Sequence, residues 1–167
     1  DRVNHTAYCA LSPRADEDLF LEFCEDFDYY PIVFNAFQTV AQKRVAVYHT
    51  NVILCLGDAF AVICLSCIDN VQQRNTVVAQ LHADNKEIID ITQEQMHQFA
   101  GNMLQVKGLE NRSIIVMSQS ARDSLTPDQT KTLEKHGELL AAKLPTIETC
   151  GGGSARCMMA EVFLPKA

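Results

Sequence analysis

The feature that most constrains the fold is a repeated order of elements, in which two short apolar strands are followed by a helix and a third strand. The first copy consists of strands at residues 52–56 and 60–65, a helix at residues 69–83 and a strand at residues 87–91. The dipeptide Gly57-Asp58 is typical of a tight turn, so the first two strands are predicted to form a hairpin.

The same order returns in the C-terminal half of the chain. The second copy consists of strands at residues 103–106 and 112–117, a helix that begins at Thr126, and strand-like residues 139–147. Thr126 is a good N-cap, Pro127 fits the first helical position, and Gly137 suits the position just beyond a helix end. A further helix is predicted to begin at Thr92, between the two copies.

The N-terminal part of the chain continues the alternation of strands and helices. It is predicted to contain a strand at residues 5–11, a helix from Asp16, a strand at residues 31–37, a polar connection at residues 38–44 and a strand at residues 45–48. A last strand is predicted at residues 158–164. With 167 residues, 47% hydrophobic content and no long linker, the sequence predicts one α/β domain over residues 1–167.

Charge and hydropathy argue against a nucleic-acid partner and against a membrane span. The formal net charge of −7 argues against a nucleic acid, while it allows a small cationic substrate. The longest apolar run, residues 52–68, is broken by Gly57 and Asp58, so it predicts strands rather than a membrane span.

The cysteines indicate a reducing compartment. Seven are present: Cys9, Cys24, Cys55, Cys64, Cys67, Cys150 and Cys157. Five of the seven lie in apolar runs. The odd number predicts reduced thiols and a cytoplasmic location. Cys64 and Cys67 have CxxC spacing, but no second CxxC or histidine pair accompanies them at zinc-site spacing. We expect no metal site and interpret the pair as small buried residues at a strand end, with a redox or metal role as the minor alternative.

Three polar motifs lie at the ends of predicted strands, where sites in α/β sheets gather. They are Leu11-Ser12-Pro13-Arg14, Tyr48-His49-Thr50-Asn51 and the glycine-rich segment from Gly151 to Cys157. Cysteine and histidine in one chain can act as nucleophile and acid/base pair. Alternatively, His49 is a structural histidine and Arg14 a solvated residue before a helix.

The glycine-rich segment offers a candidate nucleophile. Three successive glycines let the backbone approach a ligand closely, and the guanidinium of Arg156 favours the thiolate of Cys157. The alternative is a glycine turn that enters a last strand with an inert, buried cysteine.

Together the three motifs resemble the guanidino-group-modifying (pentein) superfamily, and within it the arginine-deiminase-related branch linked to citrulline hydrolysis. The matching pieces are Ala10 to Arg14, His49 to Val52 with Gly57-Asp58 after it, and Gly151 to Met158. The resemblance implies a portion of a five-fold pseudosymmetric α/β propeller built from ββαβ units. This fold agrees with the recurrence of three strands and one helix.

The resemblance also implies a role for each site residue. Cys157 would attack the guanidino or ureido carbon of an arginine-like or citrulline-like amino acid, and His49 would protonate the leaving amine and then activate water. Arg14 would bind the substrate carboxylate. Asn51 stands where arginine deiminases carry an aspartate, which leaves room for a neutral ureido group. The remaining substrate-binding positions implied are Gly152, Gly153, Ser154 and Arg156.

One expected piece of the superfamily site lies outside this sequence. Relatives carry a glutamate in a Glu-Gly segment just before the strand that corresponds to residues 5–11, whereas this sequence begins at Asp1. A five-unit propeller also needs more residues than these. We therefore expect the chain to be the C-terminal part of a catalytic domain, which associates with its missing N-terminal part or forms a homo-oligomer.

Alternatives remain open at the level of the sequence. The chain is interpreted as a hydrolase of linear amidines or ureido groups that needs no cofactor. An amidinotransferase of the same superfamily, a non-catalytic binding or subunit domain, and a structural α/β domain with a buried Cys157 are the other interpretations.

Overall fold

The fold was analysed in a computed structural model that describes residues 1–162. The N-terminal part contains β1 (Thr6–Leu11), α1 (Glu17–Asp26), β2 (Tyr30–Asn35), β3 (Phe37–Val40) and β4 (Lys43–Ala46). The middle contains α2 (Thr50–Ile53), β5 (Leu54–Leu56), β6 (Phe60–Ile63), α3 (Val71–Ala83), β7 (Glu87–Asp90) and α4 (Gln93–His97). The rest contains β8 (Leu104–Lys107), β9 (Ser113–Ser118), α5 (Gln119–Ser124), α6 (Pro127–Glu134), β10 (Glu138–Ala142) and α7 (Pro145–Cys150). Short 3₁₀ helices span Leu65–Cys67, Leu109–Asn111 and Ala155–Met158.

The predicted recurrence of hairpin, helix and strand is confirmed. Strands β5 and β6 are antiparallel, and α3 then returns the chain so that β7 lies parallel to β6. Strands β8, β9 and β10 repeat this arrangement, with α5 and α6 in the connection. Strands β1 and β2 form a parallel pair joined by α1. The molecule is therefore a mixed α/β fold assembled from small sheets with the same strand order.

Helix capping explains why two helices begin where the sequence predicts. Thr92 and Thr126 each form a capping box, in which the threonine hydroxyl accepts a hydrogen bond from the backbone three residues later. The capping glutamines also pair with each other, because Gln95 Nε2 donates to Gln129 Oε1 over 2.7 Å. This contact joins α4 to the second repeat.

The hydrophobic core is centred on β6. All four residues of β6 are fully buried, as a strand covered on both faces requires. Large buried side chains from several other elements pack around this strand: Phe34, Val47, Ile53, Ile68, Leu81, Met96, Met103, Ile115, Met117 and Leu133. The core therefore fixes β1, α2 and β9, which the three polar motifs follow, form or contact.

The prediction of a polar connection at residues 38–44 is wrong. Strands β3 and β4 form an antiparallel hairpin there, with Ala41 and Gln42 at positive φ in the turn. Both strands are largely exposed. The sequence misses this hairpin because an exposed strand pair does not need the apolar alternation by which strands are recognised.

Three further predictions of strand structure are corrected. The strand expected at residues 139–147 ends at Ala142, and Pro145 instead occupies the first turn of α7, where its missing N–H costs nothing. Residues 65–67 form a 3₁₀ helix rather than the end of a strand. The strand expected at residues 158–164 is not formed up to residue 162, where Met158, Met159 and Val162 are exposed. Residues 163 and 164 of that prediction lie outside the described residues.

No helix within residues 1–162 has the length and apolar character needed to cross a membrane.

Candidate active site

Cys157 lies on the 3₁₀ helix that follows the glycine-rich loop, with its side chain exposed to solvent. Gly152 takes a φ of 67°, a left-handed conformation that favours glycine. A Cβ atom at Gly153 would stand 3.0 Å from both Cβ and Sγ of Cys157. The loop can therefore fold back against the cysteine because these positions carry no side chain.

The histidine motif is brought directly against this loop. His49 is the N-cap of α2, and Asn51 lies in its first turn. The Tyr48 hydroxyl donates a hydrogen bond to the Gly152 carbonyl over 3.0 Å. Asn51 Nδ2 lies 3.7 Å from Cys157 Sγ. Two motifs that are about a hundred residues apart in sequence thus form one surface.

The arginine motif reaches the same surface through Tyr48 and His49. The Ser12 hydroxyl donates to the Tyr48 carbonyl over 3.0 Å and accepts from the Arg14 backbone N–H over 3.1 Å. The Arg14 guanidinium carbon lies 5.5 Å from the centroid of the Tyr48 ring, a cation–π distance. Arg14 Nη1 lies 3.5 Å from His49 Nε2. A guanidinium can only donate, so a hydrogen bond at this distance requires that His49 Nε2 carries no proton.

His49 and Cys157 belong to the same surface without touching. Within residues 1–162, no hydrogen bond joins the imidazole to Cys157 Sγ. A nucleophile and its acid/base partner are often separated when no substrate is bound and come together in the reacting complex.

Asn102 is a site residue that the sequence analysis missed. It is 2% exposed and lies between α4 and β8, and its Nδ2 lies 3.2 Å from Cys157 Sγ. The same nitrogen donates to the Asn51 carbonyl over 3.1 Å, and Asn102 Oδ1 accepts from the Arg156 backbone N–H over 3.2 Å. The available signal was a polar residue after Gly101 inside an apolar stretch.

The predicted binding residue Ser154 is placed away from the reacting groups. Its side chain is fully buried, and its hydroxyl donates to Glu148 Oε1 over 2.7 Å. The other carboxylate oxygen of Glu148 accepts from Ser120 over 2.7 Å. Burial alone raises the pKa of Glu148, but hydrogen bonds from Ser118, Ser154 and Ser120 outweigh it and lower the pKa. Glu148 therefore anchors the glycine-rich loop as a carboxylate.

Arg156 contributes to the site through its backbone, and its side chain faces a neighbouring cavity. This cavity has a volume of about 520 Å³ and is lined by Asn51 and Arg156 together with aromatic side chains of the N-terminal part. Those aromatic residues are Tyr8, Phe20, Phe23 and Tyr29. The cavity adjoins the surface that carries Cys157.

Cys64 and Cys67 form a separate, buried thiol pair. Their sulfurs are 3.4 Å apart, and Cys67 Sγ lies 3.5 Å from Met96 Sδ. A hydrogen bond from Cys67 lowers the pKa of Cys64 to about 7 against the opposing effect of burial. The hydrogen bond to Cys64, together with burial, raises the pKa of Cys67. All seven cysteines are free thiols.

In the described part of the chain, no three His, Cys, Asp or Glu side chains are grouped so that they could hold a metal ion.

Comparison with known proteins identifies similar sequences and folds. A sequence model of the family described as eukaryotic N,N-dimethylarginine dimethylhydrolase matches residues 1–164. A search of curated proteins found no match.

Several crystal structures share the fold. Apo ArgZ, described as an arginine dihydrolase from the ornithine-ammonia cycle in cyanobacteria, is 15% identical with a TM-score of 0.69, over 94% of this chain and 22% of that chain. The N-terminal domain of ArgZ in a cysteine-to-serine variant bound to substrate is 14% identical with a TM-score of 0.65, over 93% of this chain and 51% of that domain. AgrE in a ternary complex with ornithine and NAD⁺ is 16% identical with a TM-score of 0.67, over 100% of this chain and 22% of that chain. The chain thus spans about a fifth of the full-length relatives and about half of the ArgZ N-terminal domain.

Proposed function

The chain belongs to the eukaryotic N,N-dimethylarginine dimethylhydrolase family, and we propose that it forms part of a cysteine-dependent hydrolase acting on the guanidino or ureido carbon of an amino acid. The membership confirms the resemblance to the guanidino-group-modifying superfamily. The observation that carries the proposal is Cys157, an exposed residue whose sulfur lies beside amide nitrogens of Asn51 and Asn102 on the surface that also holds His49. The family description favours an arginine-like substrate, including a methylated one.

The proposed reaction has two steps that share one covalent intermediate. The Cys157 thiolate attacks the central guanidino or ureido carbon and forms an S–C bond. The C–N bond to the leaving amine then breaks, and His49 gives that nitrogen a proton. In the second step His49 takes a proton from water, the water oxygen bonds to the same carbon, and the S–C bond breaks with its electron pair returning to sulfur. Neither step requires a cofactor.

Arg14 is proposed to bind the α-carboxylate of the substrate. A guanidinium matches a carboxylate with two parallel hydrogen bonds, a stronger pairing than its contact to a neutral imidazole. Binding would therefore draw Arg14 from His49 Nε2, 3.5 Å away without substrate, and free that nitrogen to carry the proton that the reaction needs. In this way, binding of the substrate carboxylate to Arg14 would also free His49 Nε2 for proton transfer.

The neutral side chain of Asn51 bears on the choice between guanidino and ureido substrates. An amide offers both donors and an acceptor, so it can pair with a charged guanidinium or with a neutral ureido group. A guanidinium would gain no full ion pair at this position. If the substrate is a cationic guanidinium, we propose that a carboxylate outside this chain supplies the negative charge that pairs with it.

The repeated sheets are proposed to be part of a five-fold propeller. The strand order of β5, β6 and β7 recurs in β8, β9 and β10, and the chain spans about half of the ArgZ N-terminal domain. The remaining units would come from an N-terminal part of the same catalytic domain or from an associated chain. The carboxylate that grips the guanidino nitrogens would lie in that part.

A substrate panel tests the proposal in the complete protein that contains this chain. Release of ammonia or an alkylamine is measured with arginine, methylated arginines and citrulline. Turnover of at least one of them is expected, with loss of activity in Cys157→Ser. Cys150→Ser is the matched control, because Cys150 is also exposed and lies seven residues earlier. Equal activity of the two variants, or no turnover on any compound, would overturn the proposal in favour of a transferase or a non-catalytic domain.

A further inference from the structure

The buried amide of Asn102 has every part of its hydrogen-bonding capacity directed at the candidate site. Its two N–H bonds point to the Asn51 carbonyl, at 3.1 Å, and to Cys157 Sγ, at 3.2 Å. Its oxygen receives the backbone N–H of Arg156 at 3.2 Å and, over a longer 3.6 Å, the thiol of Cys157. A side chain that is only 2% exposed thus links α2, the loop before β8 and the cysteine-bearing segment.

The orientation of this amide follows from its two backbone partners. If the nitrogen and oxygen were exchanged, the NH₂ group would face the N–H of Arg156 and the oxygen would face the carbonyl of Asn51. Both contacts would then be repulsive, and both groups would lose their partners. The nitrogen at 3.2 Å from Cys157 Sγ is therefore a donor, and it lies nearer the sulfur than Oδ1, which accepts from the thiol over 3.6 Å.

The backbone around Asn102 is fixed by packing. Phe99 takes a φ of 65° at the end of α4, and its carbonyl accepts the Asn102 backbone N–H over 2.8 Å. Gly101 allows the chain to pass under α2, since a Cβ atom there would stand 2.3 Å from the carbonyl oxygen of Val52. The neighbouring Ala100 and Met103 are fully buried. The donor is thus held in place before any substrate arrives.

We propose that Asn102 stabilises the thiolate form of Cys157 and fixes the position of its sulfur for attack. This inference rests on the proposed function, in which Cys157 is the nucleophile. A hydrogen bond donated to sulfur favours the anion over the thiol, and a donor held by a buried framework needs no reorganisation when the charge forms. Asn51 Nδ2, at 3.7 Å, is a second and more distant donor on the same sulfur.

A purely structural role for Asn102 makes a different prediction. In that case Asn102 only ties the loop to α2, and its replacement lowers stability without changing how Cys157 depends on pH. Asn102→Asp separates the two roles, because the carboxylate keeps an acceptor for Arg156 but places an oxygen instead of a donor beside Cys157. Asn75→Asp on the exposed side of α3 adds the same charge elsewhere and is the matched control.

The experiment measures the rate of iodoacetamide alkylation at each cysteine of the complete protein from pH 5 to pH 10. Cleavage by trypsin after Lys143 and Arg156 places Cys150 and Cys157 on different peptides. In Asn102→Asp, alkylation of Cys157 at pH 7 is expected to slow by about tenfold or more, with its pH midpoint moved upward. Cys150 should react at an unchanged rate, and Asn75→Asp should match the wild type.

The same digest reports whether the variant is folded, because the buried thiols of Cys55, Cys64 and Cys67 remain protected only in the folded protein. A folded Asn102→Asp with an unchanged rate and midpoint at Cys157 overturns the inference. If the variant unfolds, the wild type supplies the test through the side-chain amide resonance of Asn102 in an NMR pH titration. The chemical shift of that resonance should change with pH at the same midpoint as the alkylation of Cys157, and the change should be absent in Cys157→Ser. A chemical shift that does not change with pH in the wild type contradicts the inference. Turnover by Cys157→Ser would instead overturn the proposed function, while the alkylation result would stand.

Discussion

Cys157 and the pair Cys64/Cys67 place thiols in opposite surroundings. The pair lies in the core with its sulfurs 3.4 Å apart, and both residues are fully buried. Cys157 is exposed and receives hydrogen bonds from amide side chains. Cys64 has the lowered pKa, about 7, yet no route for a substrate. The comparison teaches that exposure and hydrogen-bond partners, rather than CxxC spacing or a lowered pKa alone, distinguish the thiol that we propose as the nucleophile.

The largest expected effect is the difference in thiol reactivity between the two regions. Cys157 should react with iodoacetamide at least about a thousandfold faster than Cys64 or Cys67, because buried thiols react only after local opening that costs several kcal/mol. Mass spectrometry of the tryptic peptides ranks all seven, with fragmentation of peptide 45–74 to separate Cys55, Cys64 and Cys67. The comparison fails if Cys64 alkylates as fast as Cys157 in the folded protein.

The next largest effect is expected at Arg14, the residue proposed to bind the substrate carboxylate. Arg14→Ala should lower kcat/KM for the amino-acid substrate by about 30-fold to 1000-fold, the loss of roughly 2–4 kcal/mol of charge-assisted contact. The decarboxylated analogue should be affected far less. Lys131→Ala, which removes an exposed cation from α6, is the control and should leave both substrates unchanged. Equal losses on both substrates for Arg14→Ala would remove Arg14 from carboxylate binding.

Substitution within the buried pair Cys64/Cys67 should lower the stability of the protein and leave its activity unchanged. Cys67→Ala should lower the free energy of unfolding by about 1–2 kcal/mol, because it opens a small cavity beside Met96 and removes the hydrogen bond to Cys64. Cys150→Ala, at an exposed position, should stay within about 0.5 kcal/mol of the wild type. Urea unfolding gives both values. Loss of kcat in folded Cys67→Ala would show that the pair takes part in function.

The smallest effect tests the anchor of the glycine-rich loop. The pKa of Glu148 is lowered, so its carboxylate contributes full stability above the ordinary glutamate value of about 4.3 and loses it as the pH falls through the lowered pKa. Glu148→Gln should cost about 1 kcal/mol at pH 7, and the difference from wild type should shrink below pH 4. Glu134→Gln, at an exposed helical position, should show no such dependence. A constant difference at all pH values would assign Glu148 a role that does not depend on its charge.

The parts of the fold that the sequence predicts are those with local signals. The capping residues Thr92 and Thr126, and the turn at Gly57-Asp58, define their elements without help from distant residues. The β3–β4 hairpin lacks such a signal because both strands are exposed. The apolar residues after Cys157 favour a strand by composition, yet the structure leaves Met158 and Met159 exposed.

The residues of the candidate site also differ in whether a local sequence signal reveals them. Cys157, His49 and Arg14 stand out as polar or reactive residues at strand ends, and the structure brings their motifs to one surface. Asn102 could not be found from its neighbours in sequence, because its role depends on contacts with Asn51 and Cys157, each more than fifty residues away. Ser154 looks like a binding residue in a glycine loop, but burial and Glu148 hold its hydroxyl elsewhere.

The most direct test of the central claim is to trap the covalent intermediate. The complete protein is mixed with the substrate it turns over fastest, quenched in acid within one turnover, digested with trypsin and analysed by mass spectrometry. The account predicts an added amidino or ureido carbon fragment on the peptide that begins at Cys157, absent from Cys157→Ser and from every other cysteine peptide. An adduct on Cys150 or Cys64, or steady turnover by Cys157→Ser, would contradict it.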